Sequence, residues 1–203
     1  MRRPLLAIAL LLAATLAHAS DIELTGAEGH PRERFPLTIH LASSGEPSLD
    51  AAGRRAVADW NGVAETALGV RAFTEVAVRD TAQVLIGFTS DDATRLMGLT
   101  QISAETRGVI MPPVRVTVFP MQARGQTPRE VLLYQIVAHE LGHALGLEHT
   151  RDPRSLMCCV TGSIDFNDPV VREAYIAARR QPEVRTAAAQ LAEHYARFWK
   201  RVP

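Results

Sequence analysis

Residues 139–149 read His-Glu-Leu-Gly-His-Ala-Leu-Gly-Leu-Glu-His, and this run constrains the fold more than any other part of the chain. On a helix, four steps of about 100° return His143 to within about 40° of the face that carries His139. Both ring nitrogens can then converge on one metal. Gly146 is the residue type that ends a helix in the left-handed region, where a side chain clashes. The resulting turn would bring His149 back as a third ligand. Three neutral imidazoles with a fourth position left open describe a catalytic zinc rather than a structural one. Glu140 sits beside the first ligand, close enough to serve as general base for a water at that metal without binding it.

The flanking sequence supports a helix here. Thr127, Pro128 and Glu130 occupy the N-cap, first and third helical positions, a capping box with proline where proline is tolerated. Apolar residues recur at helical spacing from Val131 to Leu145, so a helix over 128–145 is expected. Two surface histidines on a polar face would lack this context.

The full pattern His139-Glu140-x-x-His143-x-x-Gly146-x-x-His149 resembles the metzincin zinc peptidases. Ser155-Leu156-Met157 resembles their Met-turn, with Met157 beneath the metal. The short interval from His149 to Met157 is similar to the matrixin branch, the matrix-metalloproteinase type. Upstream, Pro36–Leu41, the helix ending near Trp60-Asn61, Phe73–Val76 and Val84–Phe88 resemble the first strand, helix and next two strands of a matrixin catalytic domain, in order. The resemblance implies an α+β metzincin fold. It has a twisted five-stranded mixed sheet, two main helices and a small C-terminal helical half. It also implies secreted zinc-dependent endopeptidase activity, with peptide substrate paired antiparallel to an edge strand within Leu99–Ile110. Serralysins and astacins are more distant relatives of this pattern.

Two accessories of animal matrixins are missing. Thr89-Ser90-Asp91-Asp92-Ala93 stands where those proteins carry a His-Gly-Asp stretch, and no histidine lies between His40 and His139. One catalytic Zn2+ is therefore expected, without a second structural zinc. Calcium stays open, since no motif for it is recognisable. No cysteine precedes Cys158, so a cysteine switch is absent.

Residues 1–19 read as a secretory signal: Arg2 and Arg3, an apolar core from Leu5 to Leu16, and Ala17-His18-Ala19 for cleavage. That core is shorter than the roughly 20 residues of a membrane span, so Sec-type export to a periplasmic or extracellular location is expected, with no membrane anchor. Without Arg2 and Arg3 the chain has 20 basic residues against 22 acidic ones, a balance of −2. That balance gives no electrostatic case for nucleic acid. About 184 residues remain, enough for one catalytic domain and expected to be monomeric.

Residues 20–34 read as a flexible arm and candidate short propeptide, with 35–203 as the catalytic domain. A strand is expected at 36–41, a helix capped by Ser48 to about Asn61, and strands near 71–78 and 83–88. The stretch 98–119 is expected to split into two strands at Pro112-Pro113. The first helix should bury Leu49, Ala52, Ala56, Trp60 and Val63. Asp168-Pro169 opens another helix and Pro182 breaks it. Val184, Ala188, Leu191, Tyr195 and Phe198 then form a docking face.

Weaker signals remain. Cys158 and Cys159 are the only cysteines, and neighbours close only a strained eight-membered ring. Free thiols or an intermolecular bridge are the other outcomes, and lining the substrate-pocket wall, at Cys158–Ile164, is the favoured role. Cys159 is also a candidate conditional zinc ligand. Asp21, Glu23 and Glu28 are candidate caps for the zinc from the arm. His30, His40 and His194 read as surface or locally bonded residues, Glu148 as solvated. The rival to an enzyme is a non-catalytic exported metal-binding or interaction protein that keeps the fold. Such proteins generally lose the base or a ligand, and here all four residues are present.

Overall fold

The structure, a computed structural model, describes residues 24–91, 96–121 and 127–202. The signal segment, Asp21, Glu23, Asp92 and Ala93 lie outside the described residues. Among the described residues no helix is long and apolar enough to cross a membrane.

Five strands form one sheet: β1 (Leu37–Leu41), β2 (Phe73–Glu75), β3 (Val84–Phe88), β4 (Gly98–Ala104) and β5 (Ile110–Val118), in the order β2-β1-β3-β5-β4. The first three pairings are parallel, and β4 alone runs antiparallel, against β5. This is the expected mixed five-stranded sheet in an α+β fold. Alternation sets the strand faces: Leu37 and Ile39 of β1, Val84 and Ile86 of β3, and Val114, Val116 and Val118 of β5 are buried. They share one core with α1 (Pro47–Leu68) and α2 (Arg129–Ala144).

Helix α1 buries the predicted stripe of Leu49, Ala52, Ala56, Trp60 and Val63. It is nevertheless longer than expected and is not capped by Ser48. Glu46 is the N-cap residue, Pro47 opens the helix, and Gly69 closes it at φ 68°. The helix runs on through residues 62–68, burying Val63 and Ala64, two turns past the expected end near Asn61. Asn61 is buried, and its amide brackets β2 by donating to the Phe73 carbonyl and accepting from the Phe73 N–H. The indole of Trp60 donates to Ala138 O at 2.8 Å, tying α1 to α2 next to the first histidine.

The division within 98–119 falls at the turn through Gly108, not at Pro112-Pro113. Both prolines lie inside β5. They are tolerated because pairing with β3 begins only at Val114, and the β4 side is shifted in register between Gln101 and Ser103. Helix α2 begins at Arg129 after Pro128, with no side-chain cap, so the capping box at Thr127 does not form.

After the histidine-bearing segment, α3 (Pro169–Arg180) starts as predicted: Asp168 accepts from the Val170 and Val171 N–H groups. It ends before Pro182, and a 3-10 turn at Val184–Ala187 leads into α4 (Ala188–Arg201). Val184, Leu191, Tyr195 and Phe198 are buried and Ala188 partly so, the docking face expected from their spacing.

Residues 24–34 are docked rather than loose. Gly29 bridges to Val109, and Glu28 and His30 are buried. Helix α4 clamps this segment: Trp199 Nε1 donates to His30 O at 3.0 Å and Arg201 donates to Ala27 O. His30 Nε2 donates to Ala144 O at 2.9 Å, while its Nδ1 finds no hydrogen-bond partner. His194 is likewise buried, with Nε2 unpartnered. Neither is a surface residue. His40 is half-buried, its Nδ1 beside Val76 O.

Burial, with the Arg34 charge and His194 adding to it, pushes the His30 pKa down to about 4. Burial and nearby Arg197 push His194 down to about 4 as well. Both rings ordinarily titrate near 6.5. The stability they confer is therefore complete above about pH 6.5 and is lost as pH falls toward 4. Thermal melts with chelator present should show a loss of about 2 kcal/mol per ring between pH 7 and 5. His30→Gln, which keeps an N–H for Ala144 O, should remove one ring's share of that dependence. Identical melting at both pH values would show that the arm is not held by neutral imidazoles.

Candidate active site

The catalytic arrangement grows from the last two turns of α2. His139 and His143 lie one turn apart, and Gly146 at φ 89° reverses the chain. Gly146 N–H then bonds His143 O at 2.8 Å and Leu147 N–H bonds Gly142 O at 3.0 Å. A side chain at Gly146 would run into the Glu28 backbone, so the turn has no room for one. The reversal brings His149 over the helix. The three Nε2 atoms stand 3.1, 3.1 and 3.2 Å apart.

A tetrahedral zinc with Zn–N of about 2.0–2.1 Å needs its nitrogens about 3.3–3.4 Å apart. Nitrogens this close cannot all carry protons. His139 Nδ1–H donates to Leu156 O at 2.8 Å and His143 Nδ1–H to Leu147 O at 2.7 Å. These bonds fix the tautomers and leave each Nε2 lone pair facing inward. Burial first, and the neighbouring rings, push His139 down to about 3 and His143 down to about 4. The donor set, three converging imidazoles, fits zinc.

Glu140 is buried, and burial raises its carboxyl to about 7, against a lowering bond from Thr100. Thr100 Oγ1 reaches Glu140 Oε2 at 2.7 Å and Glu140 O at 3.0 Å. Thr100 comes from β4, the edge of the sheet, as does Gly98, where a Cβ would lie 2.6 Å from Glu140 Oε1. Neither residue carried a sequence signal, because a Gly-x-Thr in a strand is unremarkable and the contact spans 40 positions.

Met157 is fully buried under the site, its sulfur against the bare backbone of Gly142, between the two helical histidines. Its carbonyl accepts from Thr150 N–H at 2.9 Å, pinning the turn behind His149. Cys159 does not join the histidines. Its sulfur is bonded to Cys158 in a vicinal disulfide, and in that state it offers no thiolate to a metal. Glu28 does not cap the site either: its carboxylate accepts from Thr25 N–H, Thr25 Oγ1 and Ala27 N–H. Among the described residues, the histidine trio is the one group of three or more potential ligands.

The trio lies on a cleft of about 670 Å³. Met97, Gly98, Leu99 and Thr100 of the β4 edge line one side, and Cys158, Val160 and Thr161 line another, within the expected wall segment. Glu148 is exposed at its rim, as expected. Tyr175 and Arg179 of α3, which sequence reasoning did not single out, complete it.

Residues 37–169 match the family model for matrixin. The chain belongs to the matrixin family. A 35-residue stretch is 51% identical to macrophage metalloelastase of Oryctolagus cuniculus, spanning 17% of this chain and 8% of that protein. A solved structure of myroilysin is 17% identical, covering 64% of this chain and 55% of that one at a TM-score of 0.39. The stretch matched by the matrixin model contains the His139, His143 and His149 cluster, which fits a zinc ion.

The contact between β4 and the base can be tested in this matrixin. Gly98→Ala should displace the Glu140 carboxylate by about an ångström and reduce casein hydrolysis about 100-fold. Zinc content should be unchanged. A variant that hydrolyses at the parent rate would separate β4 from the base.

Proposed function

We propose that this matrixin is an exported zinc endopeptidase in which His139, His143 and His149 hold the metal and Glu140 is the general base. The convergence of three Nε2 atoms beside a buried carboxylate carries this reading. A zinc ion supplies Lewis acidity, making water acidic enough to attack near neutral pH and polarising a carbonyl.

The chain's own groups do the rest. A peptide pairs with the free edge of β4 in extended form, main chain to main chain. Glu140 accepts a proton from the attacking water as its oxygen bonds to the scissile carbon. Burial lets the carboxyl hold that proton until the C–N bond breaks and the amine takes it. Thr100 keeps the carboxylate aimed during both transfers. Met157 and the carbonyls of Leu147 and Leu156 keep the imidazoles fixed. The unit acts as a monomer on proteins or peptides, with no role for nucleic acid.

The purified protein should contain one zinc, lose casein hydrolysis to a chelator and regain it with zinc. Glu140→Ala should keep the metal and lose at least about 100-fold in rate. A zinc-replete parent that cleaves nothing in a broad peptide library would favour the non-catalytic rival. Export through the Ala17-His18-Ala19 site predicts a mature N-terminus at Ser20. Edman sequencing of protein from the periplasm or medium reads this directly, and an intact Met1 would refute it.

A further inference from the structure

We propose that Arg179 forms an anion subsite in the cleft, so that the peptidase selects a substrate carboxylate close to the bond it cuts. The inference rests on the peptidase reading and adds the substrate class. Among the described residues Arg179 is the one lysine or arginine lining the cleft. It sits on the last turn of α3, where its Nη2–H donates to Cys158 O at 2.9 Å. Its Cζ lies 4.7 Å from the ring centre of Tyr175, one turn earlier.

These two contacts orient the guanidinium without neutralising it. A carbonyl takes one of its five N–H donors, and a ring face is a weak counter-charge. Among the described residues no carboxylate lies within ion-pair distance of Arg179, whereas Arg172, Arg185 and Arg197 each have one. Of the two acids on the cleft, Glu140 is held by Thr100 on the β4 side, and Glu148 is exposed at the rim, close to Gly26 and outside ion-pair distance of Arg179.

Arg179 is half-buried, so a carboxylate meeting it is partly shielded from water and can be gripped by two parallel N–H bonds. Its neighbours on the cleft, Cys158 and Tyr175, also offer no competing charge. The guanidinium donates to the wall segment that follows Met157, at Cys158 O. Arg179 and the three histidines line the same cleft, so the subsite would take a residue flanking the scissile bond. The carboxylate can be a Glu or Asp side chain, or a free C-terminus just beyond the cut.

A residue that merely braced the Cys158–Thr161 wall would alter the rate on every substrate alike, whereas an anion subsite alters a ratio. Matched peptides differing as Glu against Gln, Asp against Asn, and free against amidated C-terminus should be compared at each position flanking the cut. The acid should be favoured about fivefold or more in kcat/KM at one position, chiefly through KM. That ratio should approach one in Arg179→Gln and invert in Arg179→Glu. In the parent it should shrink as salt rises to about 1 M, a readout that needs no variant.

Preference for an acidic side chain, or for a free C-terminus, supports the subsite and identifies its source. Ratios within twofold of one at every position, or a ratio unchanged in Arg179→Gln, overturn it. Zinc-loaded Glu140→Ala, titrated calorimetrically with the same pairs, should show the same acid-over-amide ratio in Kd. If the parent cleaves none of the peptides, the peptidase reading fails, and this binding ratio still decides the subsite.

Discussion

The structure depends on how the C-terminal end of α2 is satisfied. A helix leaves its last carbonyls without partners, and this one ends inside the molecule, where water cannot supply them. Gly146 N–H takes His143 O, and Leu147 N–H takes Gly142 O. The next two carbonyls are answered from the far ends of the chain: His30 bonds Ala144 O and the Tyr195 hydroxyl bonds Leu145 O at 3.0 Å. The turn so secured is the one that returns His149 to His139 and His143. Arm, helix end and α4 therefore form one unit, and the geometry of the metal ligands is a property of that unit.

The convergence of three histidines beside a buried glutamate was legible in the sequence because all four fall within eleven consecutive residues, where helical periodicity converts spacing into direction. Met157 was legible for a similar reason, a short fixed interval. The five-stranded mixed sheet was not readable from periodicity and came from the resemblance, which the structure bears out, while the order of its strands needed the fold. Element ends were less readable. Ser48 and Thr127 are good cap residues by type, yet Glu46 and Pro128 hold those positions, because burial of the flanking apolar stripe decides where a helix starts. Pro112-Pro113 looked like a break until register and pairing partners were known.

The contacts that sequence could not show are those made across distance. Thr100 meets Glu140, Arg179 meets Cys158, and His30 meets Ala144, at separations of 40, 21 and 114 residues. Each is an ordinary residue type with no local pattern. His30 and His194 illustrate the cost: an isolated histidine reads as surface, and only packing reveals a ring kept neutral by burial. The cysteine pair sits between these cases. Adjacency was plain, but its place on the cleft, with a carbonyl that anchors Arg179, required the fold.

The bond from Tyr195 to Leu145 O also orders events in time. Ribosomes make α2 and its histidines well before α4, and until α4 docks, the turn carrying His149 lacks one of its donors and its packing against the arm. The support of the histidine triangle is thus completed by a helix made after it, and the turn that sets His149 is fully bonded only once α4 has closed on the domain.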